Sequence, residues 1–297
     1  MIDLLSAANH ALFVYYLVCN LVYLTTLLVA LQTTARHQQN LKSFRLEWLK
    51  ESRLVPPITL LVPAHNEEKS IRVAVQNLLN LDYPEIEVIV INDGSTDCTL
   101  EELVDEFRLT PVRAVYVPQV PCAHVHALYR SSVDPRLLVI DKDSIGSKAD
   151  AVNAGLNAAT SPYVCTVDAD SILERDALLR VMVPVLNDPE HIVAVGGIVR
   201  ILNASELSGG RLLRVRLPKK SFEVIQVVEY LRAFLIGREA WAQANMLMII
   251  SGAFGDFRAD IVRAVGGYRA ETIGEDFDLV TRMHRHLLDR RADYRIQ

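Results

Sequence analysis

The stretch EIEVIVINDGSTDCTLEELVDEF (residues 85–107) changes its structural period halfway along. Its first part is a nearly continuous run of β-branched residues, the composition of a strand covered on both faces. Gly94 marks a turn, and Ser95, Thr96 and Asp97 form a capping cluster that opens a helical run. The same alternation recurs on either side. ITLLVPA (58–64) reads as a first strand, followed by a helix over 70–79. VRAVYV (112–117), YVCTVDAD (163–170) and IVAVGGIV (192–199) read as further strands. KADAVNAGLNAA (148–159) and ERDALLRVMVPVL (174–186) read as the helices among them. Apolar strands alternating with helices predict an α/β fold with a mainly parallel sheet and helices on both faces.

Ligands of such sheets bind beyond the carboxyl ends of the strands. Three polar clusters fall on that edge: HNEE (65–68), NDGSTD (92–97) and DADS (168–171). Asp93 suits the edge of a nucleobase, or with Ser95 and Asp97 it caps the next helix. Asn66 caps its own helix or lines the ligand. Asp168 and Asp170 alternate, so an extended chain turns both carboxylates to one side. Paired carboxylates with a substrate phosphate suit Mg²⁺ or Mn²⁺. In GSKADAVNAG (146–155), Lys148 stands at a helix start, where a lysine is unfavourable for the helix but well placed for an anion. In TIGEDFDLVTRMHRH (272–286) three carboxylates, Glu275, Asp276 and Asp278, open a helix. Asp278 is spaced to pair with Arg282, and a carboxylate preceding them suits a general base. SGAFGDFR (251–258) offers small residues for close backbone approach.

Composition narrows the class. Lys and Arg number 31 against 36 Asp and Glu, which excludes the basic excess of a nucleic-acid binder. Residues 11–31 (ALFVYYLVCNLVYLTTLLVAL) contain no charge and as a helix reach roughly 32 Å, enough to cross a bilayer core. The run is too long for a cleaved signal peptide and lacks a basic leader. Arg36, Lys42, Arg45, Lys50 and Arg53 follow it and Asp3 precedes it, so the N-terminus is expected outside and the remainder in the cytoplasm. Cys19, Cys98, Cys122 and Cys165 are scattered without metal-site spacing, consistent with a reducing compartment, and the sequon at Asn203 is expected to stay unmodified there. LKSFRLEWLK (41–50) places Leu41, Phe44, Trp48 and Leu49 near one helical face, for the membrane surface or for packing on the next domain.

Taken in order, LVPAHNEE, VINDGSTD, GSKADAVNAG, VDADS, SGAFGDFR and GEDFDLVTR resemble the motifs of family 2 glycosyltransferases of the processive, membrane-bound type. That group includes bacterial poly-N-acetylglucosamine, cellulose and hyaluronan synthases, and the resemblance spans residues 56–296. It implies a glycosyltransferase A fold, a UDP-sugar donor (UDP-N-acetylglucosamine or UDP-glucose), Mg²⁺ or Mn²⁺, and inverting transfer to a growing polysaccharide. A lipid-linked acceptor, or a non-catalytic membrane subunit, are the rival readings. By the same resemblance, Pro63, Ala64, Asn66 and Glu67 line the nucleoside and Asp93 meets the uracil. Lys148 lies near the diphosphate, Asp168 near the nucleotide sugar or metal, and Asp170 binds the metal. Asp276 is the general base, and Glu275, Gly252, Ala253 and Phe254 shape the acceptor site. The implied organisation is an extracytoplasmic N-terminus (1–10), a transmembrane helix (11–31), an amphipathic connector (32–55) and a catalytic domain (56–297) in the inner membrane. Ser147 and Asp256 depart from the usual glycine and apolar residue. No Gln-x-x-Arg-Trp motif follows, so a shortened synthase is expected.

Overall fold

A computed structural model describes residues 2–43, 46–113, 116–201, 205–208 and 211–297. The chain opens with α1 (Ile2–Ser43), one unbroken helix, so the apolar run and the first part of the expected connector form a single rod. Short α2 (Leu46–Leu49) follows, with Leu46 and Leu49 packed on the core and Trp48 exposed. Lys50 secures this junction through Asp82 at 3.2 Å. Phe44, Arg45 and the side chain of Leu41 lie outside the described residues, as does Asn203.

The α/β unit then runs β1 (Ile58–Ala64), α3 (Ile71–Leu79), β2 (Ile86–Asp93), α4 (Thr99–Phe107), β3 (Leu109–Pro111), β4 (Val125–Ser131) and β5 (Leu137–Lys142). It continues with α5 (Lys148–Ala158), β6 (Tyr163–Val167), α6 (Ala177–Asn187) and β7 (Ile192–Gly196). β8 (Glu206–Ser208) and β9 (Arg211–Arg214) pair by themselves. α7 (Ser221–Leu231), a π-helical segment (Arg232–Arg238) and α8 (Glu239–Gln243) then form one rod against α1, which buries Ala30 and Thr33. The chain ends with β10 (Phe254–Arg258), α9 (Ala259–Ala264), α10 (Glu275–Asp289) and β11 (Arg295–Ile296).

Among the described residues the main sheet has the order β11-β7-β10-β6-β1-β2-β5-β4-β3. Its centre, β6-β1-β2-β5, is parallel, as the alternation of apolar strands and helices predicts. The flanks differ: β10 runs antiparallel between β6 and β7, and β4 and β3 continue antiparallel beyond β5. The third parallel strand is LLVIDK of β5, not the expected VRAVYV. In that stretch Val112 only donates its N–H to the Leu128 carbonyl at 2.8 Å, and Ala114 and Val115 lie outside the described residues. A tight turn makes the difference: Ser131 Oγ accepts from Val133 N at 3.1 Å and Asp134 N at 3.0 Å, folding β4 back beside β5. A short-range hairpin thereby replaces a crossover at this edge.

Alternation along the strands supplies two cores. Leu60, Val62, Val88 and Val90 face α3, α4 and α6. Leu61, Ile89 and Ile91 face α5 and the C-terminal helices. Gly155 of α5 is required by this packing, since a Cβ there would sit 2.8 Å from Ile91 Cδ1 and 3.0 Å from Leu61 Cδ2. Parallel pairing brings Ala64, Asp93 and Val167 to one edge, where β1, β2 and β6 release their loops.

Candidate active site at the carboxyl edge of the sheet

The loops enclose a cleft of about 410 Å³ lined by Pro63, Ala64, His65, Glu67, Asp93, Ser144, Gly146, Ser147, Lys148, Ala151, Asp168, Ala169 and Asp170. Most of the donor residues expected from the sequence thus meet in one place. Asn66 is the exception: it is exposed and does not line the cleft. It does not cap α3 either, but takes a positive φ of 59° and accepts from Thr96 N at 2.8 Å through Oδ1. Its own N–H donates to Ser95 Oγ at 3.0 Å, and Glu67 N donates to Thr99 Oγ1 at 2.8 Å. The two loops are laced together in this way. His65 completes the lacing by donating from Nδ1 to the Asp93 carbonyl at 2.7 Å.

Asp93 is buried at the end of β2 and does not cap α4. Its Oδ1 pairs with Lys142, and its Oδ2 accepts from Ser144 Oγ at 3.0 Å. Lys142, buried at the end of β5, also faces Asp150 at 2.7 Å and donates to the Asp143 carbonyl at 2.6 Å. Burial disfavours its charge, but the hydrogen bonds to Asp150 and Asp93 outweigh that penalty and hold its pKa above the ordinary lysine value. The ammonium thus serves both buried carboxylates, so none of the three groups is buried without an opposite charge beside it. Lys142 was missed from the sequence; its only signal was a lysine closing an apolar run.

The acidic pair departs from the extended geometry expected of it. β6 ends at Val167, and a turn follows in which the Asp168 carbonyl accepts from Ser171 N at 3.0 Å. Ala169 turns into the core while Asp168 and Asp170 both remain on the cleft. Asp168 pairs with Lys148, whose ammonium also donates to the Gly252 carbonyl at 3.3 Å. The exposed Asp170 carboxylate makes no hydrogen bond or ion pair among the described residues. A free carboxylate beside a half-engaged one, with room for phosphates, fits an oxygen-ligated Mg²⁺ or Mn²⁺.

Gly252 extends the site to α10. Its N–H donates to Asp276 Oδ2 at 2.7 Å, and a Cβ on Gly252 would lie 2.7 Å from Asp276 Oδ1. Burial raises the Asp276 pKa; the Gly252 N–H and Lys148 oppose that shift, while Glu275 and Asp168 add to it. Asp278 follows the simpler reading, accepting from Arg282 Nε at 2.7 Å. Ala253 is half-buried beside Gly252. Phe254, expected to shape an acceptor site, is instead a core residue against Gly197, because β10 has already entered the sheet there. Asp256 likewise points into the core, opposite Cys165, and not to the cleft. A further half-buried cation, Arg238, lies 3.9 Å from the centroid of the Phe234 ring and is close enough to feel the Asp276 charge.

A mixed sheet whose parallel centre opens into acidic loops, with a lysine and a raised carboxyl over them, defines the class: this is the glycosyltransferase A fold. The chain belongs to glycosyl transferase family 2, whose profile matches residues 59–119 and 124–247. It is 28% identical over 236 residues to the poly-beta-1,6-N-acetyl-D-glucosamine synthase of Staphylococcus epidermidis, covering 79% of this chain and 47% of that one. The synthase of the same name from Staphylococcus aureus strain COL is 29% identical over 229 residues, covering 76% and 45%. The chain therefore spans about half the length of these relatives. Among solved structures, the mannosyltransferase PcManGT from Pyrobaculum calidifontis, in complex with GDP-Man and Mn²⁺, superposes with a TM-score of 0.54. That match has 20% identity and covers 91% of this chain and 65% of the other.

Proposed function

We propose that this chain carries out inverting transfer of a sugar from a UDP-sugar to the hydroxyl of a growing polysaccharide. The observation that carries the reading is Asp276: a half-buried carboxyl, raised in pKa, tied through Gly252 and Lys148 to the acidic pair in the cleft. A carboxylate in that position takes the proton of the attacking hydroxyl as the bond from the anomeric carbon to the diphosphate breaks. Lys148 faces the departing diphosphate, Asp93 orients the base and Glu275 supports the acceptor. Asp170, with Asp168, would hold Mg²⁺ or Mn²⁺; a bound divalent ion neutralises charge developing on the leaving group. The synthase relatives favour UDP-N-acetylglucosamine over UDP-glucose as donor.

Membrane residence is part of the reading. Within Ser6–Arg36 the most apolar 18-residue window has a mean hydropathy of 2.0, and none of it is buried. The excess of basic residues after it favours an external N-terminus and a cytoplasmic cleft. Phe222, Ile225 and Val228 of α7 are exposed at 72%, 59% and 56%, which favours a lipid-facing position for this rod. That exposure also supports a lipid-linked acceptor as the second reading.

The test is transfer from radiolabelled UDP-N-acetylglucosamine and UDP-glucose by membranes carrying the full chain. Asp276→Asn is expected to lose ~100-fold or more, the scale of a general base. Asp170→Ala is expected to lose a comparable factor, the scale of a group that stabilises developing charge. Near-normal rates in either variant remove that residue's role. Extraction of the product as long polymer or as a single-sugar lipid decides the acceptor.

A further inference from the structure

Away from the cleft floor, β4 and β5 bring together three ligand-type side chains: His124, His126 and Asp143. Their candidate ligand atoms all lie within 4.8 Å of one another, and all three residues are exposed. Strand geometry explains the convergence. His124 and His126 are alternate residues entering β4, so their rings share a side, with centroids 5.0 Å apart at 71°. Asp143 directly follows β5, where its N–H donates to the His124 carbonyl at 3.0 Å. His126 Nε2 already meets Asp143 Oδ1 at 2.8 Å, and the register shift between Val125 and Ala127 re-aims that ring.

We propose that His124, His126 and Asp143 form a second metal site, for a transition-metal dication of the Zn²⁺ or Co²⁺ type. Two imidazoles with one carboxylate suit such an ion and not Mg²⁺, which keeps to oxygen ligands. Bonds of roughly 2.0–2.2 Å set tetrahedral ligand atoms about 3.3–3.6 Å apart, so the widest pair must close by about an ångström while His126 and Asp143 part slightly, and side chains open to solvent have the freedom to do so. The backbone holding them is already fixed by the β4–β5 pairing. The ion would lie beside the cleft and not in it, one residue from Lys142 and one from Ser144, both of which bind Asp93.

The test is a Co²⁺ titration of the full chain purified in detergent, with Mg²⁺ in large excess to occupy the acidic pair. Expected is one equivalent of Co²⁺ with visible ligand-field bands, unchanged in Asp170→Ala. In His124→Ala and His126→Ala, affinity is expected to fall by more than the ~10–100-fold that follows loss of an outer-sphere partner. Both histidines are exposed, and unchanged thermal midpoints without metal will show that the variants are folded. Co²⁺ binding that persists in both histidine variants, is lost in Asp170→Ala, or is not observed at all overturns the proposal. The readout is metal absorption and not transfer, so its failure leaves the reading of the acidic cleft untouched.

Discussion

Asp256 sits fully inside the sheet-helix core, opposite Cys165 on the neighbouring strand. Burial pushes its carboxyl up to about 8, with the Cys165 thiol offsetting part of the shift. Neither oxygen has a hydrogen-bond partner of ordinary geometry among the described residues. In the unfolded chain the same group titrates near 3.8. Between those values the folded state holds a proton that the unfolded state releases, so stability falls as pH rises from about 4 to about 8. Asp256→Leu is expected to flatten that slope and to stabilise the fold at neutral pH by on the order of a few kcal/mol. Thermal midpoints of both proteins measured from pH 5 to 8 check it, and parallel slopes would sink the assignment. Asp256 was visible in the sequence as an odd residue in an apolar position, yet its direction was not. Strand register, which turns alternate side chains to opposite faces, decides whether a β10 residue meets the cleft or the core.

At the scale of elements, the close approach of α5 to β1 and β2 sets where Lys148 stands. Gly155, in a helix that also carries Ala149, Ala151, Ala154 and Ala158, lets the helix settle between Leu61 and Ile91. Gly155→Val is expected to overpack this contact and cost about 1–3 kcal/mol. Chemical denaturation of the solubilised protein measures it; an unchanged midpoint would mean that α5 shifts outward without penalty. The elements bearing the cleft were legible because each combines a period with a boundary signal: β1, β2, β6, α3, α4, α5 and α6 all lie where their patterns place them. β4 was not legible, since VHALYRS mixes polar and apolar residues without a covered face. β5 does carry an apolar run, LLVI (137–140), but the serine-centred turn that sets it beside β4 has no period. The acidic pair shows the same limit: YVCTVDAD reads as one strand, yet the strand ends at Val167 and a turn carries the carboxylates.

For the whole molecule, the question is how the α/β unit stands against the apolar helix. α1 packs on the π-helical segment and α8, so the apolar rod and the exposed face of α7 belong to one side of the protein. With the basic residues following the span, Ser6→Cys is expected to react with an impermeant maleimide on intact cells. Cys98, which is exposed on the catalytic unit, is expected to react only after the cells are opened. The opposite pattern would reverse the orientation. By itself the sequence determined the α/β class, the apolar span and the edge of the sheet on which Asp93, Lys148, Asp168 and Asp170 assemble, because local periodicity and parallel topology together send the carboxyl ends of the central strands to one side. Only the tertiary structure decided that Lys142 is buried against Asp93 and Asp150, that Gly252 holds Asp276, and that Phe254 and Asp256 belong to the core. Those facts depend on contacts between segments far apart in the chain, on strand register and on chain reversals, and a repeating hydrophobic pattern carries no record of them.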